Sequence, residues 1–349
     1  MNRWCKTTLI VVGAVALIFV CGVSLIAGPR PFLGPRARTL VDRTFARTPD
    51  RLARGKYLVE AVTGCMDCHS PHNWARHDAA SLPGMEGAGQ EMSSILQGLP
   101  GRIVASNLTP DPETGAGKWS DDALARGIRE GIGHDGRALF PMMPYEHFRR
   151  LPDEDVASIV VYLRSLHPVR NSLPPTQVAF PVKYLIQSVP QPLTSPVPEA
   201  EPADPVTRGA FLVNAAACAD CHTPEKMGQP LPGMAFGGGR LLEGAWGRVA
   251  SANITQDPSG IPYYNEEMFV AAMRTGYVGA RRLNQIMPWA TFRKMSDQDL
   301  KAIYAYLKTL PPVKHNVDNT EPPALCPIDK TTHGLGAHNR SLWCRPGAP

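Results

Sequence analysis

Two five-residue stretches carry most of the chemistry in this sequence: Cys65-Met66-Asp67-Cys68-His69 and Cys218-Ala219-Asp220-Cys221-His222. Two cysteines three apart present thiols spaced for addition to the two vinyl groups of a haem, and the imidazole that follows can reach the iron. The Cys-x-x-Cys spacing also serves a zinc half-site or a redox dithiol, and for one copy both readings stay open. Neither asks for a histidine directly after the second cysteine, and here the whole pentapeptide occurs twice. The pair therefore points to two covalently bound haem c groups, one per motif.

The elements around the motifs repeat as well. A helix is expected over Arg51–Val62, with Leu52, Tyr57, Leu58 and Ala61 on one face, and it delivers Cys65. Its counterpart contains Phe211-Leu212-Val213 and has one residue fewer before the cysteine. Each motif is followed by a glycine- and proline-rich loop containing Leu-Pro-Gly-Met (Leu82 to Met85, Leu231 to Met234). Arg102-Ile103-Val104-Ala105-Ser106-Asn107 is then matched by Arg248-Val249-Ala250-Ser251-Ala252-Asn253. Short amphipathic helices are predicted to start at the N-caps Ser120 and Asn265, and Ser296 with Asp299 resembles a capping arrangement at the start of the second closing helix. Met143-Pro144-Tyr145-Glu146-His147-Phe148 and Met287-Pro288-Trp289-Ala290-Thr291-Phe292 each precede a closing helix, expected at about 153–166 and 297–310. Apolar positions Val156, Ile159, Val160 and Leu163, and Leu300, Ile303, Tyr304 and Leu307, give each closing helix one buried face. Two long copies imply duplication of one module.

The boundaries follow from this pattern: residues 1–48 as an N-terminal anchor and juxtamembrane segment, 49–171 as a first domain, 172–203 as a linker, 204–315 as a second domain and 316–349 as a tail. Leu9 to Ala27 carries no charge, and as a helix it would cover about 28 Å, close to a hydrocarbon core. It lacks a good small-x-small cleavage site, which favours an uncleaved transmembrane helix over a signal peptide. More arginines follow it than precede it, opposite to the positive-inside pattern for an exported C-terminus. Seven basic and two acidic side chains in the first 50 residues account for the whole net charge of +5. The body is neutral, so nucleic acid is excluded as a partner. Nine prolines between 172 and 205 predict an extended, semi-rigid connector. Cys5 and Cys21 read as small buried residues, and Cys326 with Cys344 as a disulfide pinning the tail.

The Cys-x-x-Cys-His motifs, the Asn107-Leu108-Thr109 and Asn253-Ile254-Thr255 stretches and the Met-Pro loops together resemble the bacterial di-haem members of the class I cytochrome c superfamily, including cytochrome subunits of membrane-bound dehydrogenases. The resemblance covers roughly residues 50 to 170 and 204 to 315. It implies an all-α fold of two tandem cytochrome c-like helical domains, with Cys65 and Cys68 holding one haem and Cys218 and Cys221 the other. His69 and His222 would be proximal ligands, with Met143 and Met287 as distal ones. Met142 aligns with Ile286, and the equivalent Met85 and Met234 are second choices. Arg102 and Arg248 would face haem propionates or form ordinary salt bridges, Trp119 and Tyr264 would pack on haem edges or in the core, and His72, His77, His134, His147 and His167 read as surface residues.

The expected role is electron transfer between a dehydrogenase or quinol-oxidising partner and a downstream acceptor. The chain would be held at the bacterial inner membrane by a single pass, with its haem domains facing the periplasm or exterior. A non-catalytic carrier or a subunit of an oxidoreductase complex is expected. The alternative is a di-haem enzyme of the peroxidase or thiosulfate-oxidising type. A peroxidase needs an iron with an available coordination site, whereas here both halves offer a methionine.

Overall fold

In the computed structural model, described for residues 3–199, 204–226, 228–317, 324–325 and 332–333, thirteen α-helices occur. The first seven are α1 (Arg3–Ala27), α2 (Arg30–Leu33), α3 (Pro49–Tyr57), α4 (Cys65–His69), α5 (Asp121–Glu130), α6 (Tyr145–Phe148) and α7 (Asp153–Ser165). The others are α8 (Val182–Leu185), α9 (Pro205–Ala215), α10 (Cys218–His222), α11 (Glu266–Thr275), α12 (Trp289–Phe292) and α13 (Asp297–Leu307). The chain divides into two compact units, one of residues 1–44, 119–149 and 177–196, the other of residues 45–118, 150–176 and 197–349.

The larger unit contains both Cys-x-x-Cys-His turns and is built on two helix crossings. The α3 helix packs on α7, and α9 packs on α13. Both crossings are close because a glycine sits at each contact: a Cβ on Gly55 would lie 1.9 Å from the Ser158 carbonyl oxygen, and one on Gly209 would lie 1.9 Å from that of Ala302. The apolar faces of the closing helices fill the space beneath. Val156, Ile159, Val160, Leu163 and Leu300 are all at most 1% exposed, and burying each stabilises the fold by roughly 1.5–3 kcal/mol relative to leaving it in water.

The residue by which the first copy exceeds the second has a defined place. After α3 the chain makes one π-helical turn over Leu58–Val62, closed by the Thr63 amide donating to the Leu58 carbonyl at 2.8 Å. A π-turn absorbs one extra residue without ending the helix, so both helices reach their cysteines with Leu58 and Leu212 buried. The expected caps form: the side chains of Ser120, Asn265 and Ser296 accept from the amides of Ala123, Met268 and Asp299.

In the smaller unit, Arg38 ties the segment after α2 to α5. Its guanidinium makes two bonds to Asp122, at 2.7 and 2.9 Å, and one to Glu130 at 2.7 Å, and both carboxylates are buried. Bidentate, charge-assisted bonds of this kind suit a site removed from water. The α5 helix ends on Gly131 at φ +71°, over which the Tyr145 ring of α6 packs.

The all-α expectation with a transmembrane helix needs correcting on two points. The long glycine-rich loops pair into short strands. The largest is a hairpin of Leu241–Gly244 with Gly247–Ala250, in which Gly247 takes φ +87° in the tight turn; Thr332–His333 adds to it in parallel. Two-residue ladders join Gln90–Glu91 to Val104–Ala105 and Tyr277–Val278 to Arg281–Arg282. The apolar run near the N-terminus does form a helix, α1. A bilayer core requires about 20 consecutive apolar residues in helical form, and among the described residues no helix is long and apolar enough to cross a membrane.

Two other expectations also change. Cys5 and Cys21 are exposed on α1. Part of the proline-rich connector is helical, at α8 and a 3₁₀ turn over Ile186–Ser188, because no proline interrupts the chain between Pro181 and Pro190. Cys326 and Cys344 lie outside the described residues.

The α9–α13 crossing gives a direct test of the packing. Gly209→Ala should lower the unfolding free energy by about 2–3 kcal/mol in guanidinium titration, because backbone must move to admit one methyl. A change below about 0.5 kcal/mol would show that the helices are not in this contact.

Candidate haem sites

Each Cys-x-x-Cys-His stretch forms a single helical turn, α4 or α10. Each is entered through a left-handed residue: Gly64 at φ +61° and Ala217 at φ +51°. All four cysteines are free and half-buried. Burial pushes the Cys65 thiol up to about 11 and those of Cys68 and Cys218 to about 12, with Cys221 raised as well. A redox dithiol works through a thiol of lowered pKa, so these pairs are placed against that chemistry. Among the described residues no group of three or more His, Cys, Asp or Glu side chains could hold a metal ion, so no four-ligand zinc site is assembled there.

The histidines are oriented by the same device in both halves. His69 Nδ1 donates to the Ser106 carbonyl at 2.7 Å and His222 Nδ1 to the Ala252 carbonyl at 2.7 Å. A carbonyl cannot donate, so the proton sits on Nδ1 and Nε2 keeps its lone pair for a metal. Burial holds both imidazoles below their ordinary value, with the carbonyl bond opposing, so the neutral, ligating form is favoured.

The accepting carbonyls are themselves held by the residues that follow them. Asn107 Oδ1 accepts from the Thr109 amide at 3.0 Å and hydroxyl at 2.7 Å, while its Nδ2 donates to the Val169 carbonyl at 2.8 Å. Asn253 does the same with the Thr255 amide at 3.0 Å, its hydroxyl at 2.8 Å and the Val313 carbonyl at 2.7 Å. The ring is closed by the Val169 and Val313 amides, each donating 3.1 Å to a threonine hydroxyl. All four Asn and Thr side chains are buried. The Asn-x-Thr stretches are thus latches that tie the histidine's acceptor to the segment leaving the closing helix. Their recurrence in both halves was visible in the sequence; their role required the fold.

The methionine loops share one backbone shape. Pro144 has φ −82°, ψ 49° and Pro288 has φ −79°, ψ 48°. Met143 donates its amide to Phe140 and accepts from Tyr145; Met287 does so with Asn284 and Trp289. The aromatic that follows packs in both cases on the left-handed glycine closing the preceding helix, Tyr145 on Gly131 and Trp289 on Gly276. Met287 lies in the same unit as both histidines, and Met143 belongs to the smaller unit. Met85 and Met234 cap tight turns to the carbonyls of Leu82 and Leu231.

The remaining candidates have protein partners. Arg102 lies 3.9 Å from Glu91 and Arg248 lies 3.7 Å from Glu243. Trp119 stacks on His134 at 4.1 Å, and the Tyr264 carbonyl accepts from Tyr304. His72 turns both ring nitrogens to backbone carbonyls, of Ala79 and Met66, and His77 packs between the rings of Tyr277 and Trp289. Neither is the free surface histidine that sequence position suggested.

Helical turns bearing two thiols and a histidine held in one tautomer are the arrangement that covalent haem attachment requires. Residues 206–311, which include Cys218, Cys221, His222 and Met287, match the Cytochrome c family model and form a domain of that family. A cytochrome c domain implies covalently bound haem c, and the donor set of α10 fits it: two thiols with no disulfide between them and an imidazole whose Nε2 is uncommitted. The chain is similar to the cytochrome c subunit of the quinone-type alcohol dehydrogenase of Gluconobacter oxydans, at 29% identity over 75% of this chain and 55% of that protein. It also resembles the fructose dehydrogenase cytochrome subunit of Gluconobacter japonicus, at 30% identity over 74% of this chain and 52% of the relative. The diheme cytochrome c-type of Cereibacter sphaeroides is 25% identical over 77% of the chain and 89% of the relative. The chain thus spans about half the length of the two dehydrogenase relatives.

Removing a latch should loosen its histidine. Asn253→Ala strands buried groups of Thr255 and Val313, so the unfolding free energy should fall by about 2–3 kcal/mol. Guanidinium unfolding followed by tryptophan fluorescence would measure it, and a loss below about 0.5 kcal/mol would show that the latch holds nothing.

Proposed function

We propose that the chain is a di-haem electron carrier, accepting electrons from a dehydrogenase and passing them to a downstream acceptor. The observation that carries this reading is the doubled constellation: each half has the thiol pair, the carbonyl-bound histidine and the same Met-Pro turn. The names of the relatives support a dehydrogenase as the donor, since several are cytochrome subunits of such enzymes. Haem iron, when bound, supplies a one-electron couple.

This chain's residues do the rest. Cys65 and Cys68, and Cys218 and Cys221, would fix the two groups so that they are not lost between turnovers. His69 and His222 would each hold an iron through Nε2, with the tautomer set by the Ser106 and Ala252 carbonyls. Met143 and Met287 would hold the irons as well, and a neutral thioether would favour the reduced state, raising the potential relative to harder ligand sets. A chain whose own histidine and methionine held each iron would leave no coordination site for a substrate, which would separate a carrier from a peroxidase. Covalent attachment of this type and a dehydrogenase donor both support haem domains outside the cytoplasm, in a complex at the bacterial inner membrane.

The ligand assignment is tested one methionine at a time. In the ferric holoprotein, Met143→Ala and Met287→Ala should each remove about half of the methionine-to-iron charge-transfer absorption, because each supplies one of two equivalent ligands. Full absorption in either variant would refute that ligand.

A further inference from the structure

The loop carrying Met287 is held from outside its own half. Within the second half it is fixed by the turn from Asn284 to Trp289 and by the Trp289 ring on Gly276. The other restraints come from the first half, from α3 to the stretch after α4, in the same unit.

The Thr291 hydroxyl donates to Asp67 Oδ1 at 2.6 Å, and Asp67 is the residue before the second cysteine of the first motif. His77 packs at 4.8 Å on the Trp289 ring and at 4.9 Å on Tyr277, and its Nε2 lies 3.2 Å from the Leu283 carbonyl. Gln285 Nε2 donates to the Trp74 carbonyl at 3.1 Å, and the Ser296 amide donates to the Tyr57 hydroxyl at 3.0 Å. Leu283, Gln285, Trp289, Thr291 and Ser296 bracket Met287 on both sides, and each meets a first-half residue. Trp289 is buried at 4% exposure, so the His77 contact belongs to a packed seam.

A thioether is a weak, neutral ligand. It stays on iron while the chain bearing it is kept in place, so whatever fixes the loop fixes the ligation. We infer that the first half is the lock on the second half's methionine: Asp67, Trp74 and His77 are positioning residues for Met287, and the second haem's coordination depends on the first half. The inference rests on the reading of Met287 as an axial ligand. Because Asp67 sits inside the first attachment turn, the lock also joins one haem's anchor to the other haem's distal loop.

The experiment uses the ferric holoprotein carrying Thr291→Val together with His77→Ala, with covalent haem content and far-ultraviolet dichroism as folding controls. About half of the methionine-to-iron charge-transfer absorption should be lost or weakened. Imidazole should bind one haem about tenfold more tightly, which corresponds to loss of roughly one hydrogen bond. Asp67→Asn, which keeps an acceptor oxygen for Thr291, should stay near wild type in both readouts. If the double variant does not accumulate, Thr291→Val alone, an isosteric change, should show a smaller gain in imidazole affinity in the same direction. A folded variant with the full band and wild-type imidazole affinity would overturn the lock. Failure of the ligand reading is distinguishable, because Met287→Ala would then leave the band intact; a band halved by Met287→Ala but untouched by the lock variants sinks only this inference.

Discussion

The hydrogen bond from the histidine of each Cys-x-x-Cys-His turn to a backbone carbonyl is the constraint on which the rest depends. An imidazole can ligate iron only if it is neutral and its free nitrogen is aimed, and one N–H···O=C bond meets both needs. That bond in turn needs a carbonyl that does not move. Ser106 and Ala252 are held by the buried Asn-x-Thr latches, which close onto Val169 and Val313 just after α7 and α13. The closing helices cross α3 and α9 at Gly55 and Gly209, and those helices lead back to the cysteines. Each half is therefore a loop of constraints with the Cys-x-x-Cys-His turn at both its start and its end.

Much of this was legible before the structure. The duplicated motifs, the caps at Ser120, Asn265 and Ser296 and the buried faces of the closing helices follow from residue type and spacing, which local physics dictates. The features that were not legible come from chain path and tertiary contact. The extra residue before Cys65 shows in the sequence as an offset, but only the hydrogen-bond pattern places it in a π-turn at Leu58–Val62. Gly55 and Gly209 look like ordinary helix-weakening glycines until the crossing partner is known. The hairpin at Leu241–Ala250 was hidden in a stretch whose glycines argued for a loop.

The apolar N-terminal run shows a different limit. Composition alone made it a membrane span, and it does form a helix. The flanking arginines already ran against the expected orientation, and the described residues of that helix do not amount to a span. Hydropathy in one window reports a tendency to leave water and does not identify what takes its place. The histidines after the first motif make the same point on a smaller scale: His72 and His77 looked like loop residues, and tertiary packing gave each of them defined partners.

In the proposed function both irons are closed by protein ligands, and the chain conducts electrons without binding substrate. Low-temperature electron paramagnetic resonance of the ferric holoprotein, quantified against covalent haem content, tests it most directly. Two haems per chain are expected, both low-spin with histidine-methionine ligation and in equal amounts. A high-spin signal equivalent to one haem per chain in the intact protein would contradict it.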